Sequence, residues 1–102
     1  MVAAMTSATA SAYVLVTGRV QGVGYRWFAR SHASALELRG WARNRRDGAV
    51  ELEVIGPRER IERLIEDLRA GPPASEVSDV TVHWLPLPTT GGPDGFEIRA
   101  TA

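Results

Sequence analysis

Between residues 18 and 26 the chain reads GRVQGVGYR, with glycines at 18, 22 and 24 and an arginine at its end. Glycine admits positive φ and lets a ligand approach the main chain closely. Where such a run opens onto a helix, the unpaired N–H groups and partial positive charge of the helix start favour an anion, phosphate above all. The run is neither a Walker A loop, which ends in Gly-Lys-Ser/Thr, nor the dinucleotide Gly-x-Gly-x-x-Gly pattern. A plain strand-to-helix turn uses glycines in the same way, so the loop alone leaves both readings open. Arg26 falls in the first helical turn, where a cation opposes the helix dipole at a cost of a few tenths of a kcal/mol or more. An anion held between loop and guanidinium turns that repulsion into attraction, whereas an exposed Arg with no ligand is the plainer alternative. Arg19 and Arg30 are read in that plainer way. Asn44 is the second oddity. It ends a short strand before Asp47-Gly48 and shares parity with Ala42, so its side chain is expected on the helix-covered face. A structural Asn beside a turn remains the competing reading.

Other chemistries fall away on composition. The 102 residues include no Cys and two His, which removes disulfides, thiolate nucleophiles and cysteine zinc sites together. His32 sits on the apolar face of a helical run and is read as packing. His83 is read as a solvent-facing strand residue. Net charge is zero, against a nucleic-acid binder that relies on bulk positive charge. The halves differ: residues 1–48 hold seven Arg against Glu37 and Asp47, for +5, and residues 49–102 carry −5. An anionic ligand belongs with the basic half. All twelve basic residues are Arg, a count that a compositional bias explains as well as a need for oxyanion forks. No apolar run reaches the ~18–20 residues that span a bilayer.

The elements that must position these residues can be read in turn. Residues 1–11 lack the basic and strongly apolar regions of a signal peptide and are expected to be a flexible extension of a cytoplasmic protein, followed by a single domain over 12–102. Residues 12–18 are rich in β-formers. Residues 25–36 predict a helix with Phe28, His32, Ala35 and Leu36 on its buried face. Residues 39–43 predict a second strand, and Asp47-Gly48 a hairpin. AVELEVI then predicts a third strand with Val50, Leu52 and Val54 inward and Glu51 and Glu53 outward. Pro57 suits the first position of a second helix. Its stripe of Ile61, Leu64, Ile65 and Leu68 has helical spacing, and Gly71-Pro72-Pro73 ends it. A fourth strand is expected from about Val77 to Leu85, a mobile loop over 86–95 and a short strand over 96–100. The order is β-α-β-β-α-β with a short extra C-terminal strand. This is an α+β, ferredoxin-like sandwich, an antiparallel sheet with two helices on one face. That scaffold hosts many functions, so it decides none.

GRVQGVGYRWF, then LRGWARN and DGAVELEVIGP, closely resembles the acylphosphatases. The resemblance runs from about Tyr13 to Arg99 and includes the GP that opens the second helix, the GPP after it and the final GFEIR. The joint pattern of VQGVGYR with an Asn eighteen residues beyond the Arg is highly specific. The resemblance implies hydrolysis of acyl phosphates, small carboxyl-phosphate mixed anhydrides, to carboxylate and inorganic phosphate. It assigns substrate phosphate to Arg26 and to the backbone amides of Val20, Gln21, Gly22, Val23, Gly24, Tyr25 and Arg26, and the orientation of the attacking water to Asn44. No metal or cofactor is implied. A monomer is expected, with phosphate as a product inhibitor and neither nucleic acid nor membrane as a partner.

Two competing functions are set against this reading. A ferredoxin-like RNA-binding module needs aromatic and basic residues on the open sheet face, where Glu51 and Glu53 are expected instead. A non-catalytic or carbamoyl-phosphate-handling segment, as in hydrogenase-maturation proteins, implies a second domain to feed. One departure from the family stands out. Glu37 occupies the place after the first helix where related sequences usually have Gly. A left-handed conformation is expected there, so Glu37 should have positive φ.

Overall fold

Seven elements follow one another in the computed structural model, which describes residues 8–88 and 92–102. They are β1 (Thr9–Arg19), α1 (Tyr25–Ala35), β2 (Arg39–Asn44), β3 (Val50–Pro57), α2 (Arg58–Ala70), β4 (Glu76–Leu85) and β5 (Phe96–Arg99). The strands form one sheet in the order β4, β1, β3, β2, β5. Its first four strands pair antiparallel as expected. β5 instead runs parallel to β2, so the five-stranded sheet is mixed and not purely antiparallel. Both helices cover one face: α1 lies over β2 and β5, and α2 over β1, β3 and β4. The architecture is α+β and ferredoxin-like.

Alternation in β1 builds the sheet side of the core. Ala12, Val14 and Val16 are fully buried and stand opposite Val54, Leu52 and Val50 of β3. Each fully buried Val or Leu contributes roughly 1.5–3 kcal/mol. β1 begins three residues before the expected boundary, at Thr9, so Thr9, Ala10 and Ser11 belong to the sheet and not to a flexible extension. Ala8 accepts from the Arg58 N–H at 2.9 Å, and residues 1–7 of that expected extension lie outside the described residues. So do residues 89–91, the middle of the expected mobile loop.

α2 buries Ile61, Leu64, Ile65 and Leu68, the stripe its spacing predicts. Pro57 is its N-cap and also the last residue of β3, one place earlier than expected. In α1 the buried positions are Tyr25, Ala29 and Ala33. Phe28, His32 and Leu36 are only half-buried and Ala35 is exposed, so the expected face is rotated. The small Ala29 and Ala33 let the helix approach the sheet closely. Phe28 and His32 flank that contact with their rings 4.3 Å apart, and His32 Nδ1 meets Asp67 Oδ2 of α2 at 3.0 Å.

α1 ends as expected. Glu37 has φ 58, the one non-glycine positive φ among the described residues. Its N–H donates to Ser34 O at 3.0 Å and the Leu38 N–H to Ala33 O at 2.9 Å, the paired bonds of a Schellman motif. Arg60 of α2 donates to Leu36 O at 3.2 Å and pairs with Glu37 Oε1 at 3.0 Å.

On the uncovered sheet face Glu51 is directed outward as its parity predicts, but it is not left to solvent. Glu51 points away from the helices, yet it is 7% exposed. The Tyr13 hydroxyl donates to it at 2.6 Å and Arg43 Nε at 2.5 Å. Trp41 lies on this face too, opposite in parity to Asn44, with the guanidinium groups of Arg43 and Arg99 each 4.9 Å from its ring.

Candidate active site

β1 delivers the chain into residues 20–24, and the direction of each residue there differs. Val20 is 1% exposed and joins the core, as Val23 does in part. Gly22 has φ 75 and Gly24 φ 78. A Cβ built on either would meet no atom within 4 Å, so the backbone at both glycines faces open space. Gly24 is the N-cap of α1 in the left-handed region, where no side chain caps the helix and no acid occupies the first turn. The helix start therefore keeps its positive end uncompensated.

Tyr25 anchors that start. Its ring is buried, and its hydroxyl donates to Leu68 O of α2 at 2.7 Å. Burial pushes the phenol far above its ordinary pKa, so it is a structural donor. Arg26 follows on the solvent side. It stands outside the ion pairs formed by the described residues, and its Nη1 donates to Arg99 O at 3.1 Å. Its charge is directed by a neutral carbonyl and is not cancelled by a carboxylate.

Asn44 ends β2 across from this loop. Its backbone pairs with Val50, and its carbonyl accepts from the Ala102 N–H at 3.2 Å. The β2–β3 turn closes through Arg45 N to Ala49 O at 2.8 Å, with Ala49 N donating to Asp47 Oδ1 at 3.1 Å. A pocket of about 220 Å³ lies between the two segments. Val20, Gly22, Gly24, Tyr25 and Arg26 line it from one side, with Trp27 beside them and Asn44 on the other side. The structure thus brings together six of the eight residues singled out in sequence. Gln21 and Val23 do not line the pocket.

Gln21 shows a role that the sequence did not. Its side-chain amide donates to Arg45 O at 2.7 Å and to Ala49 O at 2.9 Å. One side chain therefore ties the glycine loop to both arms of the turn that follows Asn44. These contacts span 24 and 28 residues, so no local pattern announces them. Among the described residues no group of three His, Cys, Asp or Glu is arranged to hold a metal ion, and no helix is long and apolar enough to cross a membrane.

In chemical terms the pocket offers a fixed cation, open backbone glycines at a helix N-terminus and a neutral amide facing them. That set suits a small dianion and a water molecule. Comparison with known proteins gives the same direction. A family model described as Acylphosphatase matches residues 12–98. The chain is 49% identical over 75 residues to an acylphosphatase of Bifidobacterium longum, covering 74% of this chain and 77% of that protein. An acylphosphatase of Pelotomaculum thermopropionicum is 48% identical over 89 residues, 87% of this chain and 95% of that one. The crystal structure of acylphosphatase from Bacillus subtilis superposes with a TM-score of 0.83 at 36% identity, over 88% of this chain and 98% of that one.

Proposed function

Since the chain belongs to the acylphosphatase family and hydrolyses acyl phosphates, we propose that Arg26 and the Val20–Arg26 backbone hold the substrate phosphate while Asn44 orients the attacking water. The observation that carries this reading is the pocket shared by Gly22, Gly24, Arg26 and Asn44. Arg26 presents a planar, permanently charged fork to two phosphate oxygens. The loop amides take the remaining oxygens in the manner of an oxyanion cradle. Asn44, from the opposite wall, holds water in line behind phosphorus.

The reaction is R–CO–O–PO₃²⁻ with water giving R–COO⁻ and H₂PO₄⁻. The oxygen of water forms the new bond to phosphorus. The bond from phosphorus to the acyl oxygen breaks, and its electron pair leaves with the carboxylate. Phosphoryl transfer passes through a loose transition state, so positioning and charge stabilisation carry most of the catalysis. A carboxylate of low pKa departs without a general acid. Asn44 is not a base, so the water proton goes to a phosphate oxygen. The scheme calls on no metal, and turnover in strong chelator tests that part. Residues 12–102 act as one unit in this reading, because loop, turn and C-terminal residues all contribute. Inorganic phosphate is then a competitive product inhibitor. The pocket is built within one chain, which supports a monomer.

The test is release of phosphate from benzoyl phosphate by Arg26→Ala and Asn44→Ala. Each substitution should lower turnover by ~10²–10³ with the fold intact, the usual cost of losing one transition-state donor. Arg26→Lys should also be poor, because a point charge does not replace the fork. A variant that keeps half its turnover removes that residue from the mechanism.

A further inference from the structure

We propose that Trp27 receives the acyl half of the substrate, so that the site favours acyl phosphates with a flat apolar acyl group over small ones; this rests on the placement of phosphate at the Val20–Arg26 loop. An acyl phosphate has two chemically unlike halves. Once the phosphate sits among the loop amides and Arg26, the acyl group must leave along the pocket wall. The apolar residues that line that wall are Val20, Tyr25 and Trp27. Val20 and Tyr25 are each 1% exposed and turned into the core, whereas Trp27 is 61% exposed. The indole is thus the one broad apolar surface that the pocket wall offers to a ligand. Trp27 follows Arg26 directly in the chain, and both line the same pocket.

The indole is also held in place. The guanidinium of Arg30, just under one helical turn further on, lies 5.4 Å from the ring centroid. That cation–π contact restricts the ring's rotamers, which lowers the entropy lost when a ligand packs against it. Among the described residues the other large exposed apolar ones, Trp84, Leu85 and Leu87, lie at the end of β4 and just beyond and do not line this pocket. A single exposed Trp is ordinary on a protein surface. An exposed Trp on the wall of a phosphate-sized pocket, braced by a cation on its own helix, is a recognition surface.

The contact is made equally before and during the reaction, since the acyl group beyond the carbonyl does not change. It should therefore act on KM and leave kcat alone. The experiment measures kcat and KM for benzoyl phosphate and acetyl phosphate, together with Ki for inorganic phosphate, in wild type, Trp27→Ala and Trp27→Phe. In Trp27→Ala the KM for benzoyl phosphate should rise roughly five- to tenfold, as expected for losing apolar contact over one ring face. The KM for acetyl phosphate and the Ki for phosphate should stay within about twofold. Trp27→Phe should restore most of the benzoyl phosphate KM. An equal change for both substrates, or no change for either, overturns the role of Trp27. Arg26→Ala in the same series separates the two readings. If it leaves Ki for phosphate and turnover intact, the phosphate is not at the loop, and the premise falls whatever Trp27 does.

Discussion

Gln21 is the residue whose contribution the sequence concealed most completely. Its neighbours announced themselves by type: glycines where the chain must turn, and a cation where a helix begins. A glutamine announces nothing, and its two acceptors lie 24 and 28 residues away. Those bonds set the spacing between the loop and the turn that carries Asn44. If the loop holds phosphate and Asn44 holds water, loosening this tie should misalign the water and leave phosphate binding largely unchanged. Gln21→Ala is expected to lower kcat by roughly 10- to 100-fold, the cost of a displacement of about 1 Å at a reacting centre. Ki for phosphate should change little. Gln21→Glu should be worse, because it faces two carbonyl oxygens with a carboxylate. Steady-state kinetics with phosphate as inhibitor checks both. A Ki that weakens in step with kcat would show that the loop itself has collapsed. Arg26 and Asn44 were legible for the opposite reason. Each breaks a local rule, a cation at a helix N-terminus and a polar side chain on the core face of a strand, and such breaks concentrate at functional sites.

At the scale of elements, the buried face of α2 was legible because four large aliphatic residues recur at helical spacing, and only its start was read one place off. α1 was not, because beyond Tyr25 its inner face is built from Ala29 and Ala33, while Phe28 and His32 only flank the contact. Apolar size is a poor guide where close approach is what packing needs. The end of α1 was legible, since reversal of the chain required a left-handed residue whatever its type. Glu37 there carries strain of roughly 1–2 kcal/mol, partly offset by its ion pair with Arg60, whose members are 79% and 47% exposed. Glu37→Gly is therefore expected to gain about 1 kcal/mol or less at low salt. The gain should be larger at high salt, where the lost pair counts for less. Chemical denaturation at two salt concentrations checks this, and a loss of stability at high salt would show that the turn tolerates Glu without strain. Between strands, Glu51 looked like a solvent-facing residue by parity alone. Burial raises its carboxyl pKa. The hydrogen bonds from Tyr13 and Arg43 and the charges of Arg43 and Arg45 together outweigh burial and hold it below the ordinary value. A depressed folded-state pKa means that the charged carboxyl adds stability above the unfolded value, and that this is lost as pH falls through the folded value. Glu51→Gln should thus be less stable than wild type near neutrality, and the difference should shrink as pH falls below the ordinary carboxylate range. A difference that stays constant with pH would mean that charge is not what the carboxyl contributes.

On the scale of the whole molecule, the site depends on chain segments that meet only when the fold is complete. The loop leaves β1, Asn44 ends β2, and Gln21 reaches both arms of the β2–β3 turn. The C-terminal residues close the group, with Arg26 bonded to Arg99 O and Ala102 bonded through its N–H to Asn44 O and through its carbonyl to Arg46 N. The charge asymmetry has its meaning here. Arg19, Arg43 and Arg45 of the basic half are paired with Glu76, Glu51 and Asp47, while Arg26 meets a neutral carbonyl and keeps the uncompensated charge that the proposed phosphate role requires. An anion that binds this assembly binds the native state alone, so it should raise the stability of the entire cooperative unit. For one site, phosphate at one hundred times its dissociation constant adds about 2.7 kcal/mol. In a domain of 102 residues, that moves the melting temperature upward by on the order of 10 °C. Arg26→Ala should abolish most of the shift, because it removes the cation of the proposed cradle. Asn44→Ala should keep it, because its proposed partner is water and not phosphate. Calorimetry of the three proteins across a phosphate series, at constant ionic strength held with chloride, gives the comparison. Equal shifts in wild type and Arg26→Ala would place the bound anion elsewhere on the molecule. A shift lost in Asn44→Ala would show that the amide grips phosphate directly, and the in-line water would then need another holder.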